Sequence, residues 1–180
     1  MESETLARAV ALLDEGELVI VPTDTRYALA ADALDTDALR RMFDALSRGA
    51  DQPLTMCVAG LEDVGHVATA TPLAHGLALT HWPGPTALVM RAKPWVPEEV
   101  TAGGETVAVR APASDLLQRL ARQFGPLALA SLDATDAETA RKLAGTHARL
   151  VLDGGVTPGG RHAVIDARGK EPVVLRTAAP

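Results

Sequence analysis

At 180 residues, with 47% hydrophobic and only 3% aromatic side chains, the chain suits one domain over residues 1–180 with a core of Leu, Val and Ala. A net charge of −6 argues against general nucleic-acid binding, which phosphate neutralisation drives, so any RNA contact needs a local patch drawn from the 17 Lys and Arg. No apolar run reaches the length of a membrane span, Met1-Glu2-Ser3-Glu4 lacks the features of a secretory signal, and Cys57 has no disulfide partner; the expected compartment is the cytoplasm.

Leu6, Val10 and Leu13 recur at helical spacing until Gly16. The run Leu18 to Val21, closed by Pro22, reads as a buried strand, and Tyr27 to Ala31 as a second. Leu39, Met42, Phe43 and Leu46 mark an amphipathic helix capped by Asp35 or Thr36. Leu54 to Val58 reads as a strand, and Leu61 to Ala68 and Leu73 to His81 as helices, the second opened by Thr71-Pro72. Ala87 to Met90 and Val107 to Val109 read as strands. A helix follows Ser114 and stops at Gly125-Pro126. After a strand at Leu127 to Ala130, Thr135 and Glu138 form a capping box for a helix ending near Gly145. Strands at Leu150 to Leu152, Ala163 to Ile165 and Val173 to Leu175 finish the chain. Helices and strands intermingle, which argues a layered α/β fold. The closing strands have no helix between them, which makes part of the sheet antiparallel and the whole sheet mixed.

Pro22-Thr23-Asp24-Thr25 follows a buried strand, where α/β sheets bind ligands, and its hydroxyls and carboxylate suit a polar substrate. The same residues also make a turn bonded to its own backbone. Arg48 can clamp a phosphate or carboxylate, or simply complement a helix C-terminus. Arg110 ends the apolar run Val107-Ala108-Val109, and a charge there needs a partner or a ligand. Arg176 stands at the end of the last strand, with surface and site roles both open. Ser131, ahead of a helix start, can help hold an anion or merely cap. Gly154-Gly155 and Gly159-Gly160 read as turns rather than a phosphate loop, since no Lys-Ser or Lys-Thr follows. The histidines lack zinc-site spacing, so no metal site is expected, and Cys57 reads as an inert core thiol.

In order and spacing these segments resemble the YrdC-like family, the threonylcarbamoyl-AMP synthase family. Pro22-Thr23-Asp24-Thr25 with Tyr27 and Leu29 is similar to P-T-D/E-S/T-x-Y-G-L. Arg48 and Pro53-Leu54 resemble K-x-R…P-L, Trp82-Pro83-Gly84-Pro85 matches W-P-G-P, and Val107 to Pro112 matches V-A-V-R-x-P. Ser131 falls on the S of S-A-N, Asp153-Gly154-Gly155 on D-G-G, and Leu175-Arg176 on a closing L-R. Ala28 and Leu54-Thr55-Met56-Cys57 place the chain nearer the YciO branch.

The resemblance implies a YrdC-like twisted mixed parallel/antiparallel sheet with flanking helices and a concave pocket. It implies synthesis of threonylcarbamoyl-adenylate from threonine, bicarbonate and ATP, feeding the t6A modification of tRNA. Thr23, Thr25 and Arg110 then bind substrate; Arg48, Ser131 and Arg176 bind the nucleotide; no catalytic residue is assigned. ATP enters as a substrate, with Mg²⁺ as its companion, and no cofactor is tightly held. Partners are ATP or a related nucleotide, threonine, and tRNA or double-stranded RNA. The sequence departs from the family at Leu46 for Lys, Ala87 for Thr, Asp133 for Asn, and His162-Ala163 for Ser-Thr. These losses of polar groups predict weak synthesis and leave a second reading open, a non-catalytic RNA- or nucleotide-binding protein of the same fold.

Overall fold

A computed structural model describes residues 2–47, 49 and 51–179. Helix α1 (Glu2–Asp14) buries Leu6, Ala9 and Leu13, and Gly16 at φ 71° turns the chain in the left-handed region that favours glycine. The apolar run after it forms β1 (Leu18–Pro22), antiparallel to β2 (Tyr27–Asp32). Every residue of β1 is buried, as expected of a strand covered on both faces. Helix α2 (Thr36–Leu46) is capped by Asp35, which accepts from the N–H groups of Asp37 at 2.8 Å and Ala38 at 3.2 Å. Its buried stripe is Leu39, Met42 and Phe43, and half-buried Leu46 packs on the same core.

Beyond β3 (Thr55–Cys57) the expected helix is replaced by a 3₁₀ helix, Leu61–His66, and by β4 (Ala68–Thr69). Gly60 supplies no side-chain cap and Gly65 interrupts the run, so the backbone settles into the tighter turn. Helix α3 (Pro72–His81) is capped by Thr71, whose Oγ1 accepts from Ala74 N at 3.0 Å. Then follow β5 (Thr86–Ala92), the one-turn α4 (Glu98–Thr101), β6 (Thr106–Arg110), α5 (Asp115–Phe124) and β7 (Leu127–Ser131). The cap of α6 (Ala137–Ala144) is Asp136 rather than Thr135: its carboxylate accepts from Thr139 N at 2.8 Å. Asp136 stands directly before the first helical residue in the extended conformation of a cap, and a charged acceptor suits a helix N-terminus. Strands β8 (Ala148–Val151), β9 (Ala163–Asp166) and β10 (Val173–Arg176) complete the chain.

Among the described residues the strands form one ten-stranded mixed sheet in the order β10-β9-β5-β6-β3-β7-β2-β1-β8, with β4 paired to β5. The pairs β1–β8, β3–β6 and β5–β9 are parallel, and β9–β10 is antiparallel. One face carries the larger core, where Ile20, Leu29, Met56, Leu88 and Met90 meet the stripe of α2 and the small residues of α3 and α6. On the other face Val19, Val21, Ala28, Ala30 and Leu129 meet α1 and α5. Farther along the sheet β9 is half-buried and β10 exposed, which leaves strand surface free to line a pocket. No helix among the described residues is long and apolar enough to cross a membrane.

The segment after β8 is pinned by Tyr27. Its buried hydroxyl donates to Gly155 O at 2.7 Å and accepts from Gly154 N at 3.1 Å. A Cβ on Gly154 would meet Pro22 Cγ at 2.7 Å, so only glycine lets this segment lie against the end of β1. Tyr27→Phe should lower stability by about 1 kcal/mol, the net worth of an ordinary internal hydrogen bond. Urea unfolding measures it; an unchanged midpoint would show that other bonds hold the segment.

Candidate functional site

The turn between β1 and β2 does two things at once. Thr23 realises the self-bonded turn: its Oγ1 donates to Arg26 O at 2.6 Å and accepts from Thr25 N at 3.1 Å. Thr25 Oγ1 lies 3.0 Å from it, and Thr25 faces a cavity. Between them Asp24 points the other way, into an ion pair with Arg110. The second oxygen of Asp24 accepts from Ala113 N at 3.0 Å, and Arg110 Nε donates to Gly84 O at 3.1 Å. Arg110 is 3% exposed, and burial lowers its pKa while the charge of Asp24 opposes that shift. The pair therefore satisfies a charge that the end of β6 would otherwise bury alone.

The cavity has a volume of about 230 Å³. Thr55 and Leu129, opposite each other in the β3–β7 register, form its floor with Ser131. Thr25 and Arg26 stand on one side, Gly160, Arg161 and His162 on another, and Arg176 closes it from β10. Among the described residues three guanidinium groups and no carboxylate line this space, which suits an anion. Arg26 also pairs with Asp133 at 2.7 Å, a side chain 88% exposed. Asp133 thus spends its charge on Arg26 rather than standing as the free negative group that the departure from Asn suggests.

His162 meets Arg176 twice. Arg176 Nη2 lies 2.8 Å from His162 Nε2, and Arg176 Nε donates to His162 O at 3.2 Å. Burial, with the charges of Arg110 and Arg176, pushes the pKa of His162 down to about 3. Burial and Arg161 also lower that of Arg176.

Thr25, Ser131 and Arg176, far apart in sequence, thus line one cavity. Thr23 and Arg110 are not among its lining residues; they hold the turn that carries Thr25. Arg48 lies outside the described residues, although Pro53 of the same segment lines the cavity. Sequence reasoning passed over Arg161 and Thr55. The signal for Arg161 was the glycine pair before it: Gly159 and Gly160 both have φ near 80°, at 85° and 80°, and Gly159 N donates to Thr25 O at 2.7 Å. That bond turns the glycine segment into a cavity wall. Cys57 is buried, which pushes its thiol up to about 12 and keeps it protonated. Among the described residues no three His, Cys, Asp or Glu gather as a metal-binding group.

The Sua5/YciO/YrdC family model, described as telomere recombination, matches residues 11–178. The chain belongs to this family. A threonylcarbamoyl-AMP synthase from Pyrococcus abyssi is 36% identical over 93% of the chain, and one from Bacillus subtilis 37% over 95%. The chain spans 52% of each of those relatives, about half their length. A relative from Mycobacterium tuberculosis, 33% identical over 97% of the chain, is spanned over 84% of its length. The crystal structure of P. abyssi Sua5 complexed with L-threonine superposes with a TM-score of 0.93 at 35% identity, covering 99% of this chain and 55% of that one. E. coli YciO shares the fold, with a TM-score of 0.89 at 22% identity over 99% of this chain and 91% of that one.

Arg110→Met should lower stability by about 3–5 kcal/mol, because it leaves the Asp24 carboxylate buried without its cation. The double variant with Asp24→Asn should recover part of that loss. Equilibrium denaturation of the three proteins measures it; a cost near zero for Arg110→Met would show that the pair does not hold the turn.

Proposed function

We propose that the chain joins threonine, bicarbonate and ATP into threonylcarbamoyl-adenylate, releases pyrophosphate, and so supplies the t6A modification of tRNA in the cytoplasm. The observation that carries this reading is the cavity in which the hydroxyls of Thr25 and Ser131 meet the guanidinium groups of Arg161 and Arg176. The names of the relatives from P. abyssi and B. subtilis support it, as does the threonine complex of the former. In this reaction the threonine amine and bicarbonate lose water to give a carbamate. A carbamate oxygen then bonds to the α-phosphorus of ATP, the bond from that phosphorus to the bridging oxygen breaks, and pyrophosphate departs. Threonine lies on the side of Thr25 and the turn held by Thr23, and the nucleotide lies toward Ser131 and Arg176; a nucleotide role for Arg48, outside the described residues, rests on the family resemblance alone. Mg²⁺ travels with ATP, held mainly by its phosphates. The reaction needs no protein nucleophile: the chain's contribution is to align the carbamate with the phosphorus and to offset charge on the departing pyrophosphate.

A second reading, a nucleotide binder without synthesis, is favoured by Leu46 and Asp133. Leu46 offers no cation, and Asp133 neutralises Arg26 beside the phosphate side of the cavity. The proposed rate is accordingly low. Asp133→Asn frees Arg26 for the ligand and should strengthen ATP binding about tenfold, the worth of one charged hydrogen bond. The test is incubation of both proteins with ATP, bicarbonate and threonine, with detection of the adenylate and of pyrophosphate. Slow product formation that needs all three substrates, and rises in Asp133→Asn, is the expected result. ATP binding without product in either protein would favour the binder.

A further inference from the structure

Strand β10 carries Arg176 on the edge of the sheet, with little packing behind it. Val173, Val174 and Leu175 are 56%, 58% and 58% exposed. Its pairing with β9 shifts register between Val174 and Arg176. An exposed edge strand of this kind lies at the low-stability end of a structure. Yet its arginine is the cation that closes the cavity. Among the described residues no carboxylate holds it in place. The groups bonded to its guanidinium are the ring nitrogen and the backbone carbonyl of His162.

The roles in that contact follow from the chemistry. A guanidinium can only donate, so His162 Nε2 must be the acceptor and the ring proton must sit on Nδ1. A protonated ring would instead set a cation against Arg176, with Arg110 on β6 adding to the repulsion. The backbone of His162 is fixed in turn, because the next residue, Ala163, donates from its N–H to Pro85 O at 2.9 Å. We infer that His162 is a positioning residue, whose neutral ring and carbonyl fix Arg176 of the exposed edge strand in the cavity. The inference rests on the nucleotide reading above for its consequence, that a bound phosphate meets an Arg176 already in place. The low pKa of His162 accords with it, since the ring stays an acceptor across the neutral range.

The test has a ligand-free arm and a ligand arm. Nitrogen NMR of the histidine rings in the full chain at pH 7 should find His162 neutral and protonated on Nδ1, and Arg176→Ala should move its titration upward. In calorimetric titrations with ATP, His162→Ala should weaken binding about tenfold, while His162→Gln, whose amide oxygen can accept from Arg176, should restore most of it. In the Arg176→Ala background His162→Ala should have no further effect, since two residues acting through one interaction are not additive. A ring protonated on Nε2, or losses that add in the double variant, would overturn the inference. An Nδ1-protonated ring in a protein that fails to bind ATP would uphold the pairing and overturn the nucleotide reading instead.

Discussion

The ion pair between Asp24 and Arg110 is the joint on which the site depends. It draws together three segments distant in sequence. Asp24 belongs to the turn after β1, Arg110 reaches the carbonyl of Gly84 in the Trp82-Pro83-Gly84-Pro85 segment, and Asp24 takes the N–H of Ala113 ahead of α5. A buried charge without its counter-ion costs several kcal/mol, so these segments are held to one mutual arrangement. From that arrangement the cavity follows. The turn sets Thr25, whose carbonyl receives Gly159 N; the Pro85 carbonyl receives Ala163 N and so sets His162. The walls at Thr25 and His162 are thus tied, through backbone bonds, to a pair that does not line the cavity.

The fold was largely legible where hydrophobic pattern decides structure. Fully apolar β1 and the stripe of α2 are unambiguous, because burial on two faces or on one stripe leaves a distinct period. The region from Leu61 to Thr69 was misread, since a short run with Gly60 and Gly65 fits a helix or a turn followed by a strand equally well. The site was legible in part. Thr25, Ser131 and Arg176 stand out as polar groups at strand ends. The partner of Arg110 could not be read, because Asp24 lies 86 residues away and only the sheet order brings them together. Arg161 was hidden for a related reason: the glycine pair before it marks a turn but not which way the residue after the turn faces.

Charge explains how an acidic chain can present a cavity suited to an anion. The net charge of −6 belongs to the whole chain, while the cavity gathers Arg26, Arg161 and Arg176 with no carboxylate among its described lining residues. The departures from the family pattern sort by this balance. Leu46 has become part of the core under α2, a structural use of the position. Asp133 restrains Arg26 from the rim. His162 offers a ring nitrogen and a carbonyl that take hold of Arg176. Polarity has been rearranged around the cavity rather than simply removed from it.

The central claim is that the uncovered stretch of sheet bounded by Thr25, Ser131, His162 and Arg176 is where the nucleotide and threonine meet. A crystal structure of the full chain grown with ATP and threonine tests it directly. Phosphate density against Arg176 and Ser131, with threonine on the side of Thr25, is the predicted result. Nucleotide density elsewhere on the molecule, with this cavity filled only by water, would contradict it.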